Sequence, residues 1–373
     1  MRSFPFAHVV AGDWRSACDS ALARLGELPA DSGLGIVYAG ERFGDDLARM
    51  VEHLRGHSPV DTWIGTLGSG ICSTGRETYD DPALALMVTD IGPERFRIIP
   101  PITRDTAAFL TSVEPWRRDT GAFFGVVHGD PRNPATPELI ERLASGLDDG
   151  YLVGGLSSAD GDDLPQVAES VVSGGLSGAL LSGDVPVATG LTQGCSLIGA
   201  RHEITACERN LVIGLDGRPA LDVFKEDIGE VLARDLSRVA GYIFVAMPIP
   251  GSDTGDYLVR NLIGIDPDAG VLAVGDLVTE GMGLQFARRD ADTAREDLVR
   301  MVEGLKGRIE SPPKGALYHS CLGRGRFLFG DHSDELRLIQ EHLGDVPLVG
   351  FYANGEISHR RLYGYTGVLT LFL

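Results

Sequence analysis

"GALYHSCLGRGRFLFGDHSDELRLIQEHLGDVPLVGFYANGEI", residues 315–357, is the stretch whose reading decides the fold. It reads as a strand, a Gly-rich loop, a helix, a second strand and a second Gly-bearing loop. Ala316–Cys321 is a short apolar run of strand formers. Gly323 and Gly325 then let the backbone turn and approach a neighbour closely. Ser333 is placed to cap the helix that follows, with Asp334 and Glu335 in its first turn. Leu336, Ile339 and Leu343 fall on one face at helical spacing. Pro347 ends the helix, and Leu348–Tyr352 is the next strand. Strands joined by a crossover helix run parallel, and open α/β sheets bind ligands where such strands exit.

The same order recurs. Residues 35–65, 121–154 and 315–350 each read strand, helix, strand, and each runs into a loop of small or polar residues: "TLGSG", "GLSSADG" and "FYANGE". Between 176 and 215 the pattern changes to short runs punctuated by Gly, Asp and Asn, which predicts antiparallel hairpins or a meander. The fold class expected is mixed α/β (α+β): two related domains with mixed parallel and antiparallel sheets flanked by helices, built from repeated strand–helix–strand–Gly-loop units. The boundaries expected are a helical segment over 1–30, one domain over 31–215 and a second over 216–373. The first helix carries Trp14, Cys18, Ala21 and Leu25 on one face.

Composition narrows the function classes. The net charge is −20 over 373 residues, which argues against nucleic acid, because duplex binding displaces counterions with a basic surface. It argues equally against docking on anionic lipid. No run approaches the ~18–20 apolar residues of a membrane helix. The five cysteines (Cys18, Cys72, Cys195, Cys207 and Cys321) are scattered without a CxxC pair, as expected of free thiols in a reducing, cytoplasmic setting.

Phosphate-loop, HExxH and nucleophile-elbow motifs are absent, and so is a dinucleotide fingerprint. Chemistry concentrates in three loops. "LVGGLSSADG" offers Gly155, Ser157, Ser158, Asp160 and Gly161, where amides and hydroxyls suit a carboxylate and Asp160 an ammonium. "SCLGRGRF" offers Cys321, Gly323, Arg324 and Gly325. A guanidinium near the sulfur would favour the thiolate, and Arg324 could fork onto a carboxylate. "FYANGEI" offers Asn354 and Glu356. His128 and His319 stand near strand ends without metal-ligand spacing.

"LVGGLSSADG", "YLVRNLIGID", "GDLVTEGMGLQF" and above all "SCLGRGRFLFG…PLVGFYANGEI…YTGVLTLF" resemble the FIST family, over roughly residues 30–373. These are bacterial sensory proteins with an N-terminal and a C-terminal FIST domain. The resemblance implies an intracellular signal-transduction protein that binds a small ligand, with amino acids or their derivatives as the ligand class. Gly155, Ser157, Ser158 and Gly161 match the shared motifs in the first domain. Cys321, Gly323, Arg324, Gly325, Asn354, Gly355 and Glu356 match them in the second. No catalytic residues carry over, and no cofactor is required. Nothing is left over for an output module, so a separate signalling protein is the expected partner.

Two other readings compete. Some relatives are reported as haem-binding gas sensors, and His128, His319 or Cys321 could supply an axial ligand. A cysteine-dependent enzyme would use Cys321 as nucleophile, with His319 two residues away on the same strand face.

Overall fold

The computed structural model describes residues 2–29, 32–148, 150–161, 164–234, 236–239, 241–249 and 257–373. The boundary expected at residues 30 and 31 lies outside them. The chain divides into two compact units, Met1–Gln193 with Arg295–Leu373, and Gly194–Ala294.

Three runs of elements build the first unit. The first comprises β1 (Phe6–Val10), α1 (Trp14–Leu25), β2 (Gly35–Gly40), α2 (Leu47–His57), β3 (Trp63–Gly68), β4 (Gly70–Ser73), β5 (Arg76–Tyr79) and β6 (Ala83–Val88). The second comprises β7 (Phe96–Ile102), α3 (Ala107–Thr120), β8 (Phe124–Gly129), α4 (Thr136–Ser145), β9 (Tyr151–Leu156), β10 (Gln166–Ala168), β11 (Ser170–Val172) and β12 (Leu176–Leu181). The third opens with β13 (Val187–Gln193), after which the chain enters the second unit.

That unit holds β14 (Cys195–Glu208), β15 (Leu211–Leu215), β16 (Arg218–Pro219), α5 (Ala220–Ile228), α6 (Glu230–Ala233), β17 (Ile243–Pro248), β18 (Tyr257–Asp266), β19 (Val271–Val274) and β20 (Gly283–Arg289). Its strands follow the order β14-β20-β17-β18-β19-β15, and β15 pairs back to β14, closing a six-stranded barrel. Closure depends on the length of β14: residues 195–203 pair with β20 and residues 204–208 with β15. The sequence pattern predicts the hairpins but reads β14 as two shorter strands. A barrel leaves no open edge among its ring strands. Phe224, Phe286, Leu284, Val245 and Leu272 fill its core.

The third run resumes with α7 (Ala291–Lys306), β21 (Gly315–Cys321), α8 (Asp334–Leu343), β22 (Leu348–Ala353), β23 (Glu356–His359), β24 (Arg361–Tyr363) and β25 (Thr366–Phe372).

The first unit's strands form three six-stranded sheets of the same plan: β1-β6-β2-β3-β10-β11, β7-β12-β8-β9-β23-β24 and β13-β25-β21-β22-β4-β5. The central pair of each is parallel, β2 with β3, β8 with β9 and β21 with β22. Every other pairing in these sheets is antiparallel, giving the mixed α/β architecture. The hairpins change sheets: β4–β5 follows β3 in the chain but pairs with β22, β10–β11 follows β9 but pairs with β3, and β23–β24 follows β22 but pairs with β9.

The glycine of "WIG" and of each "LVG" has one structural reason. A Cβ on Gly65, Gly154 or Gly350 would lie 1.7, 1.8 or 1.8 Å from the carbonyl oxygen of Val37, Val127 or Tyr318 on the parallel neighbour. The residues after those carbonyls are Tyr38, His128 and His319, and they meet in the core. The Tyr38 hydroxyl bonds His128 Nε2 at 3.1 Å and His319 Nε2 at 2.9 Å. One hydroxyl has one proton, so it donates to one imidazole and accepts from the other, and the two rings carry opposite tautomers. Burial, reinforced at His128 by the charge of His319, holds that imidazole's pKa well below its ordinary value, and burial takes His319 to about 3.

Candidate functional site

The site is built at the exits of β21 and β22, in the first unit. Past Cys321 the backbone closes a tight turn, Arg324 N–H donating to the Cys321 carbonyl at 2.8 Å. This draws Arg324 inward, and its side chain is fully buried. Glu335, in the first turn of α8, meets it: Arg324 Nε donates to Glu335 Oε1 at 2.7 Å. The carboxylate also accepts from Tyr318 Oη (2.7 Å), Ser320 Oγ (3.1 Å) and the Gly325 amide (2.9 Å). Removing two charges from water is expensive, and an ion pair withstands it only when the remaining lone pairs are satisfied. Glu335 meets that condition. Phe329 covers the guanidinium face, 5.0 Å from its carbon.

Arg324 does not meet it. Nη1 and Nη2 are buried and have no hydrogen-bond partner among the described residues. Glu356, at the start of β23, is fully buried too. Its Oε2 accepts from the Thr366 amide (3.1 Å) and Oγ1 (2.8 Å), while Oε1 has no partner. Burial raises its pKa to about 8, against the lowering effect of the Thr366 hydrogen bonds, the Arg324 charge and the Cys321 thiol. Cys321 stands by both groups; burial, then the Glu356 charge, pushes its thiol up, with Arg324 a minor opposing influence. At the sulfur, desolvation and the Glu356 charge outweigh the guanidinium.

An unpartnered buried donor or acceptor costs about 1–3 kcal/mol. A guanidinium edge with two open N–H groups is a fork for a planar oxyanion. A buried carboxyl oxygen with no partner suits an ammonium or another donor.

The three sequence-selected loops fare differently. Cys321, Gly323, Arg324, Gly325 and Glu356 come together. Gly155 pairs in register with Glu356 across β9 and β23. Ser157 and Ser158 are buried, but their hydroxyls are committed to the fold. Ser157 Oγ bonds Thr66 Oγ1 at 2.5 Å, and Ser158 Oγ donates to the Tyr352 carbonyl and accepts from the Ser69 amide. They tie β3, β9 and β22 together rather than presenting hydroxyls to a ligand. Asp160, Gly161 and Asn354 are exposed, Asp160 N–H donating to Glu41 and the Gly161 carbonyl accepting from Arg132.

Ser333 does not cap α8. It adopts a left-handed backbone, and its Oγ accepts from the Glu77 amide instead. Sequence reasoning assigned Glu335 only to the helix dipole, and missed Phe329 and Thr366 as site residues. It missed Glu77 and Tyr79 entirely. Both arrive on the exchanged hairpin: Tyr352 Oη donates to Glu77, whose pKa burial raises to about 7.

Among the described residues no group of three or more His, Cys, Asp or Glu could hold a metal ion, and no helix is long and apolar enough to cross a membrane.

The site thus lies at the exits of parallel strands in a mixed α/β unit and draws on more than one sheet. The FIST N domain model matches residues 33–218 and the FIST C domain model residues 220–359. The chain belongs to the FIST family, whose domains are associated with sensory signal transduction. It is 30% identical to an uncharacterized protein of Mycobacterium tuberculosis strain H37Rv, with 96% of each chain covered. It is 31% identical to an uncharacterized protein of Mycobacterium bovis, with 83% of this chain and 82% of that one covered.

Proposed function

We propose that this protein is a sensor of an amino acid or a close derivative. The ligand's carboxylate lies on the Arg324 Nη edge and its ammonium on Glu356 Oε1. The observation that carries this reading is the fully buried Arg324 guanidinium, anchored through Nε to Glu335 with both terminal nitrogens unpartnered. Glu335 fixes the fork, Phe329 shields it from water, and the Gly323–Gly325 turn brings the backbone close. The ligand-bound state is read by a separate cytoplasmic signalling protein, and no chemistry is assigned to the site.

A haem reading draws less support, because His128 and His319 are fully buried and both Nε2 atoms are bonded to Tyr38. A nucleophilic Cys321 draws less as well, since its thiol is pushed up and His319 is bonded to Tyr38.

We also read the three sheets as copies of one unit, on the strength of their shared strand order. Superposing residues 6–88, 96–181 and the third run should bring Tyr38, His128 and His319 into coincidence; scattered positions would refute the repeat.

The functional test is a thermal-shift screen with each common L-amino acid. A ligand bound only to the folded state raises Tm. A rise with at least one amino acid in the wild type, absent in Arg324→Met/Glu335→Leu, is expected. The same rise in both proteins, or none in either, overturns the assignment.

A further inference from the structure

We infer that ligand capture at this site is coupled to release of one proton from Glu356, an inference that rests on the amino-acid reading above. The argument starts from the geometry. Glu356 is fully buried, and Arg324, the cation that influences it, is spent on Glu335; no ion pair joins Arg324 to Glu356. A carboxylate buried without a counter-charge takes up a proton rather than stay ionised. The titratable and charged groups that face it are Cys321 at the end of β21, Arg324 on the following turn, and Tyr363, its register partner on β24. β9 presents only Gly155 there, and the segment entering β25 presents Thr366, whose two donors both go to Oε2. The proton therefore belongs on Oε1, the atom that the Thr366 donors leave open. Burial raising the group to about 8 agrees with this.

An arriving ammonium changes the balance. It supplies the counter-charge that the empty site lacks, so the carboxyl ionises: neutral Glu356 and a ligand –NH3+ become a carboxylate–ammonium pair and one proton passes to solvent. Atoms and charge balance without any co-reactant. A carboxylate ligand lacking the amine would instead accept a hydrogen bond from the protonated carboxyl and release nothing. The device thus discriminates zwitterions from simple acids, and it makes affinity rise with pH below the Glu356 midpoint.

Two measurements on the full chain at pH 6.5 decide the matter. The first is infrared difference spectroscopy of ligand-free protein, wild type against Glu356→Gln. A protonated-carboxyl C=O band present in the wild type and missing in the variant is expected; its absence from the wild type overturns the inference. The second is proton release into weakly buffered solution containing phenol red. The probe is an equimolar mixture of the common L-amino acids, with acetate and propionate as controls. Close to one proton per bound amino acid, and none for the controls, is expected. A thermal shift by the amino acids without proton release overturns the coupling while leaving the ligand assignment standing. Absence of any thermal shift overturns both, even where the infrared band persists.

Discussion

Arg324 Nε and Glu335 Oε1 stand 2.7 Å apart with both side chains fully buried, yet only the carboxylate has all its near neighbours bonded to it. The asymmetry separates stability from function. Glu335→Ala strands the guanidinium without its counter-charge and should cost about 3–5 kcal/mol. Arg324→Met with Glu335→Leu removes both charges at similar volume, so its loss should be smaller than that of Glu335→Ala alone, because the two positions are coupled. Urea unfolding of the variants checks this; a double variant as unstable as the sum of the singles contradicts it.

Buried titrating groups set opposing pH dependences. His8 and His319 titrate near 3 in the fold but at about 6.5 when unfolded, so each contributes stability that is lost as pH falls through that interval. Glu356 is raised from about 4.5 to about 8, so its contribution is complete below 4.5 and is lost as pH rises toward 8. Glu77, raised by burial to about 7, acts in the same direction as Glu356, and the two carboxyls oppose the two histidines between about pH 4.5 and 6.5, where stability peaks. Glu356→Gln should flatten the decline between pH 6.5 and 8 and leave the dependence below pH 4.5 unchanged. Chemical denaturation across pH measures both limbs; an unchanged alkaline limb in the variant contradicts the assignment.

Glycines are not interchangeable here. Gly154→Ala drives a methyl group to 1.8 Å from the Val127 carbonyl oxygen and should cost about 3 kcal/mol or more. Gly56, exposed in α2 with nothing near its missing Cβ, should gain about 0.5–1 kcal/mol on changing to Ala. Equal effects in calorimetry would refute the close-approach account.

Tyr38→Phe deprives both imidazoles of their Nε2 partner and should destabilise by about 1–3 kcal/mol for each group left unsatisfied. A Tm equal to that of the wild type would show that the hydroxyl contributes nothing.

What the sequence revealed follows from the range of each signal. The strand–helix–strand order of residues 315–350 is local, set by apolar spacing and glycine punctuation, and it was legible. So was the gathering of Cys321 and Arg324, which share one turn. The partner of Arg324 was not: Glu335 looks like any acidic residue in a first helical turn until the loop folds the arginine back beneath it. Glu77 was beyond reach, since no periodicity records that β4–β5 leaves its own sheet for β22. Ser157 and Ser158 look like ligand hydroxyls in the sequence because their bonds to Thr66 and Tyr352 cross between sheets. The barrel was hidden for the same reason, as its closure depends on β14 turning from β20 to β15 partway along its length.

The most direct measurement of the central claim is a crystal structure of the protein grown with the amino acid that gives the largest thermal shift. The account predicts a carboxylate bridging Arg324 Nη1 and Nη2, with the amine against Glu356 Oε1. Density for that amino acid elsewhere on the molecule, with the Arg324 edge dry or filled by water alone, would contradict it.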